Sequence, residues 1–127
     1  MKKENIKFKA KKTLDGKWIK GDLVHHKDSD NVWMTDFEKR LTSPIDPFTI
    51  CQFTGLKDCK GNELYEHDVI KNYPFIPSEI VWSEELSGYY LTHANGKIYE
   101  KPLGHYLSLG KFIVVGNTYE NTNRIER

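Results

Sequence analysis

Along the first forty residues, apolar and polar positions alternate with the period of two expected of a strand with one face buried. Ile6, Phe8 and Ala10 stand between lysines, and the alternation resumes at Trp18 and after Gly21. Between these runs lies Asp15-Gly16, a dipeptide suited to a tight hairpin turn, so the chain is predicted to open with a β-hairpin. A polar loop, Asp28-Ser29-Asp30-Asn31, precedes a run of β-formers at 32–37 that reads as a third strand. The stretch Thr42-Ser43-Pro44-Ile45-Asp46-Pro47 is then expected to break regular structure twice, because each proline lacks an N–H and restricts the residue before it.

Beyond the prolines, strands are predicted at 48–53, 69–71, 79–83 and 88–92. Another is predicted at 97–100, across an Asn95-Gly96 turn, and a last buried one at 111–115. Thr54-Gly55-Leu56-Lys57-Asp58 and Cys59-Lys60-Gly61-Asn62 read as turns, and Tyr73-Pro74-Phe75-Ile76-Pro77 as an irregular connection. Residues 103–109 have room for one or two helical turns. Short strands punctuated by turn residues predict an all-β chain, a barrel or a sandwich. In this reading, residues 1–47 form a β-hairpin or meander subdomain with its proline-containing connection, and 48–127 a barrel portion. At 127 residues, one continuous domain is the alternative.

Composition shifts the source of the core. The hydrophobic fraction is 38% and the aromatic fraction 13%, so much of the buried surface must come from Trp, Tyr and Phe. Apolar runs such as 112–115 fall far short of the roughly 18–20 residues that cross a bilayer as a helix. The basic start has no apolar core of a secretory signal, which sets the expectation of a cytoplasmic protein. Net charge is +1, yet residues 1–20 hold eight lysines against Glu4 and Asp15, a local +6. That pattern argues against the broad basic footprint of a general nucleic-acid binder and leaves one basic segment. Cys51 and Cys59 fit neither a disulfide framework nor a short metal-ligand spacing and read as reduced thiols.

Two longer stretches carry a specific pattern. The first is Gln52-Phe53-Thr54-Gly55-Leu56-Lys57-Asp58 running through Gly61-Asn62-Glu63-Leu64-Tyr65-Glu66-His67-Asp68-Val69-Ile70. The second is Val115-Gly116-Asn117-Thr118-Tyr119-Glu120-Asn121. With Ile6-Lys7-Phe8-Lys9-Ala10, Gly21-Asp22-Leu23 and Val32-Trp33 in the same order, the chain resembles the YopX family of phage and prophage proteins over nearly its whole length. The resemblance implies a β-rich fold with an SH3-like barrel in its C-terminal part, self-association, and no established activity or site residues. Two positions depart from the pattern: His67 stands where members usually carry Gly, and Cys59 where Asn or Asp is commoner. Read physically, the motifs look architectural. Thr54, Gly55 and Asp58 close turns, Glu66 and Asp68 are expected to point outward at a strand start, and Tyr119 to fold back as an aromatic plug before a loose tail.

Candidate chemistry is sparse. Neighbouring strand residues face opposite ways, so His25 and His26 cannot chelate one ion together. A metal-dependent hydrolase would need one of them joined by His67, His93 or His105 and by Asp22 or Asp68. No Gly-x-Ser-x-Gly, P-loop or Gly-x-Gly-x-x-Gly pattern is present. No catalytic residue, metal ligand or cofactor is therefore assigned, and the protein is read as a non-enzyme. Trp82, Tyr89, Tyr90, Tyr99 and Tyr106 form the best binding set, since adjacent Tyr89 and Tyr90 must send one ring outward in a regular strand. Lys7 and Lys9 join them as candidate contacts for phosphate, although alternating lysines also protect an edge strand from aggregation. The functional expectation is an oligomeric interaction module for a host or phage macromolecule in a bacterial cytoplasm, without a membrane partner. The alternatives are single-stranded nucleic-acid binding and the metal-dependent hydrolase.

Overall fold

Strand β1 (Phe8–Lys11) turns at Asp15-Gly16 into β2 (Trp18–His25), pairing Phe8 with Gly21 and Lys11 with Trp18. Gly16 takes a φ of +70° there, and the Lys17 N–H bonds the Asp15 carboxylate at 2.9 Å. The computed structural model describes residues 2–72 and 76–120, which fall into two compact units, one ending at Phe53 and the other beginning at Thr54.

In the first unit β2 pairs with β3 (Val32–Asp36) and β3 with β4 (Thr42–Ile45), all antiparallel. The first residues of β5 (Cys51–Lys57) lie on the other side of β1, giving the order β4-β3-β2-β1-β5. Alternation puts Ala10, Val32, Met34 and Ile45 into the core, with Phe8, Ile19, Leu23 and Ile50 packed against them. The sheet curls around this core. Lys12 bridges Ile45, the Asp46 N–H bonds Lys11 O at 2.9 Å, and the Thr13 N–H bonds Pro44 O at 3.1 Å. Gly21 makes the curl tight: a Cβ on it would sit 1.9 Å from the Thr35 carbonyl oxygen.

From Thr54 onward β5 pairs with β6 (Glu63–Tyr65) in the second unit. A separate four-stranded antiparallel sheet follows, in the order β10-β7-β8-β9, from β7 (Asp68–Lys71), β8 (Ser78–Ser83), β9 (Gly88–Leu91) and β10 (Ile113–Asn117). The helix α1 (Leu103–Leu109) precedes β10 and buries Leu103 with Leu64, Ile70, Ile80 and Leu91. Tyr89, Tyr99, Tyr106 and Phe112 pack around that aliphatic centre, so this core draws on aromatic residues as the composition requires.

The chain is thus mostly β, built from antiparallel sheets, and neither sheet closes into a barrel among the described residues. No helix is long and apolar enough to cross a membrane among them. Several local expectations change. Residues 42–45 form a strand despite Pro44, because β4 lies at the sheet edge, where a missing N–H costs no ladder bond. Phe48 falls in a 3-10 turn, Pro47–Thr49, capped by the Asp46 carboxylate on the Phe48 N–H. Thr54 to Lys57 extend β5, with Gly55 at φ +86° and the Thr54 hydroxyl bridging from Leu64 O to the Leu56 N–H. Residues 97–100 make one bridge, Thr92 to Ile98, in place of a strand. Tyr73-Pro74-Phe75 and the tail from Asn121 lie outside the described residues.

Candidate binding site

A cavity of about 640 Å³ opens in the second unit where the end of β7, the start of β8, the Asn95-Gly96 turn and α1 come together. Four of its nine lining residues are aromatic: His93, Tyr99, Tyr106 and Phe112. His93 lies flat on Tyr99, with ring centres 4.1 Å apart and planes 8° from parallel, and Tyr106 meets Tyr99 edge-on at 5.1 Å. The turn creates the stack. Gly96 takes φ +85°, the Lys97 N–H bonds the Asn95 side chain, and the His93 N–H bonds Lys97 O at 2.7 Å. The Tyr99 N–H then bonds Leu91 O, which brings Tyr99 back beside His93. Ser78 and Tyr99 share a hydroxyl hydrogen bond of 3.1 Å, and the Lys101 N–H holds the Tyr106 hydroxyl at 3.2 Å. Phe112 and Asn72 complete the lining used below.

The aromatic residues expected to form one binding set are divided by the fold. Tyr99 and Tyr106 line this cavity. Trp82 and Tyr89 do not, and instead meet edge-on at 5.0 Å across the β8–β9 pair. Tyr90 turns into the core at 8% exposure, whereas Trp82 stays 39% exposed. Burial, followed by the nearby Glu66 charge, pushes the Tyr89 hydroxyl up to about 12. Lys7 extends over the Phe53 ring at 4.8 Å, and Lys9 lies over Trp18 at 5.2 Å, joined there by Lys11 at 5.6 Å. Because β1 lies between β2 and β5, these lysines do not guard a sheet edge, which corrects that expectation.

The histidines do not gather. His26 packs edge-on against Trp33 at 5.5 Å, and among the described residues no three His, Cys, Asp or Glu side chains are placed to hold a metal. Neither cysteine is in a disulfide; Cys51 is buried and Cys59 exposed.

The two long sequence motifs meet around Asp68 and Asn117. Asp68 was expected to point outward, but it is 1% exposed, accepting from the Tyr65 N–H at 2.8 Å and from Asn117 Nδ2 at 2.9 Å. Asn117 is wholly buried, and its Oδ1 takes the Tyr119 N–H at 2.9 Å. Ten residues upstream Asp58 plays a matching part. Its carboxylate accepts from the Lys60 and Asn62 N–H groups, from Asn62 Nδ2 and from the Val114 N–H, all at 2.8 to 3.1 Å. Burial alone would raise the Asp58 pKa, yet these donors together hold it below the ordinary carboxylate value. A family model described as YopX protein matches residues 7–126. The chain belongs to the YopX family. No curated protein matches it.

Seen through the YopX pattern, His67 is the informative departure. It adopts the left-handed backbone that glycine adopts at no cost, with φ +72°. Its surroundings hold it there: Nδ1 lies 2.8 Å from Glu79, Nε2 3.5 Å from Glu66, and the ring meets Tyr119 at 4.9 Å. Its own N–H bonds Ile80 O and its carbonyl takes the Thr118 N–H, so both neighbouring strands grip the turn. The Glu79 hydrogen bond, opposed by burial and aided by Glu66 and Asp68, raises the His67 pKa above its ordinary value near 6.5. Tyr119 stays partly exposed, with its ring edge-on to His67. Sequence reading missed Glu79, Asn72 and the pairing of His93 with Tyr99, because their partners lie on other elements.

Proposed function

We propose that this YopX-family chain is an accessory protein of phage type that acts by binding in a bacterial host cell, without catalysing a reaction, and that it self-associates. The observation that carries the reading is the β8–β9 hairpin. Trp82 is 39% exposed and Tyr89 half-buried beside it, and Leu86 at the turn is 51% exposed. Large side chains of this kind grouped on one exposed hairpin are the composition of an interface core. The occupant we assign is a second copy. β9 is the edge of its sheet, and a twofold axis beside it would set the same hairpin against itself, the self-complementary arrangement commonest among oligomers. The run of short antiparallel strands with one short helix before the last strand supports an SH3-like reading of the second unit.

His67 and Asp58 owe the direction of their pKa shifts to hydrogen bonds that reach neighbouring strands, and Tyr65 owes its raised pKa first to burial and then to Glu63 on its own strand. Light scattering on the purified full chain over a dilution series and a range of salt is the test. A molar mass at a whole multiple of the chain mass, constant across salt, is the expected result. A monomer at every concentration overturns self-association.

A further inference from the structure

We propose that the aromatic cavity of the second unit binds a nucleobase, a ligand beyond the self-association just argued. The cavity offers two things that one ligand class answers together. The first is aromatic surface: the outer face of exposed His93, itself stacked on Tyr99, with Tyr106 edge-on to Tyr99 and Phe112 beside them. The second is a side-chain amide. Asn72 is half-buried on the lining, and its side chain has no hydrogen-bond partner among the described residues. Gly110 makes the place for it: a Cβ there would lie 2.4 Å from Asn72 Nδ2 and 3.2 Å from its Cγ. The backbone at Gly110, φ −145° and ψ 173°, suits any residue, so the glycine serves this close approach and not a turn.

An amide presents one donor and one acceptor in a plane, the complement of the donor–acceptor edge of a base. The ring nitrogens of exposed His93 are likewise without partners among the described residues and add a further contact at the rim. A purely apolar ring, such as a phenylalanine side chain from a peptide, would cover the aromatic walls and leave the amide unanswered, at a cost typical of a desolvated polar group. A cavity of about 640 Å³ has room for a base with its sugar. The same base could come from a free nucleoside or from an unpaired position of a single strand.

The test titrates uridine, cytidine, adenosine and guanosine, a short oligothymidylate, and N-acetyltryptophanamide into the isotopically labelled full chain, reading amide and aromatic NMR shifts. Saturable shifts at His93, Tyr99 and Asn72 with at least one nucleoside are expected. His93→Ala should weaken binding about tenfold, the usual loss for a stacking ring. Asn72→Leu should weaken it roughly five- to tenfold by removing the edge contact. Gly110→Ala, which displaces the amide without straining the backbone, should match Asn72→Leu while the melting temperature holds. Tighter, salt-sensitive binding of the oligonucleotide identifies a single strand as the source of the base, and equal affinity for nucleoside and oligonucleotide identifies the free compound. The proposal is overturned if the folded protein binds neither. It is overturned equally if the tryptophan amide binds as well as the best nucleoside with Asn72→Leu unchanged.

Discussion

Asn117 Nδ2 donates to Asp68 Oδ1 across 2.9 Å, and neither side chain reaches solvent. The same asparagine receives the Tyr119 N–H, so one residue completes a buried carboxylate and a turn at once. Asn117→Ala strips both partners and leaves a cavity. A loss of about 3 kcal/mol is expected, read by urea denaturation, because a buried carboxylate loses a donor and the missing side chain leaves a void. A loss below the error of the measurement would mean that the motif asparagine is not structural.

His67 gives a prediction with a sign that depends on pH. Its folded pKa is raised, so its contribution is fully present below about 6.5 and is lost as pH rises through the folded value. His67→Gly removes that contribution and also relieves the left-handed strain, worth about 1 kcal/mol. Melting both proteins from acid to alkaline pH should show the glycine variant gaining on the parent as pH increases. A difference that is flat with pH would refute the role assigned to the Glu79 contact.

Asp58 works in the opposite direction. Its folded pKa is lowered, so its contribution is present above the unfolded value and fades as pH falls through the folded one. Asp58→Asn should therefore be less stable than the parent near neutrality, with the gap closing on acidification. Parallel acid limbs for the two proteins would count against it.

Two glycines separate contact from conformation. Gly16 has φ +70° and open space around its Cα, so Gly16→Ala should cost only about 1 kcal/mol through strain. Gly21 has an ordinary φ, but an added methyl meets Thr35 backbone, and Gly21→Ala should cost about 3 kcal/mol. Chemical denaturation of the two variants side by side decides the ranking, and the reverse order would refute it.

Trp82 tests the interface directly. Trp82→Ser removes an exposed ring from the β8–β9 hairpin. The molar mass in solution should fall toward that of the monomer, while the chain stays folded and melts cooperatively with a stability that no longer depends on protein concentration. Retained mass would move the interface elsewhere.

Strand alternation and turn dipeptides made much of the fold legible in advance. The first hairpin lies where Asp15-Gly16 placed it, β3 starts at Val32, and α1 fills the short helical window. Residues whose state depends on sheet position were misread. Pro44 reads as a breaker until β4 is known to be an edge, and the lysines of β1 read as edge guards until β5 is found on the other side. The binding set was half legible. Tyr90 is buried and Tyr89 half-buried against the core, and no local pattern tells that Tyr99 returns to His93 or that Asn72 lies against Gly110. Asp68 was read as a surface carboxylate because its partner is 49 positions away.

That separation bears on how the second unit comes to fold. Asp58 waits for the Val114 N–H, 56 positions on, and Asp68 for Asn117, so the carboxylates written first are satisfied by the strand written last. Pairings this distant carry a large loop-closure entropy before they return any energy, which slows the folding rate. A ribosome-bound chain lacking β10 would leave each of the two acids short of a donor, the Val114 N–H for Asp58 and the Asn117 amide for Asp68, and the second unit should remain protease-sensitive until that strand has emerged.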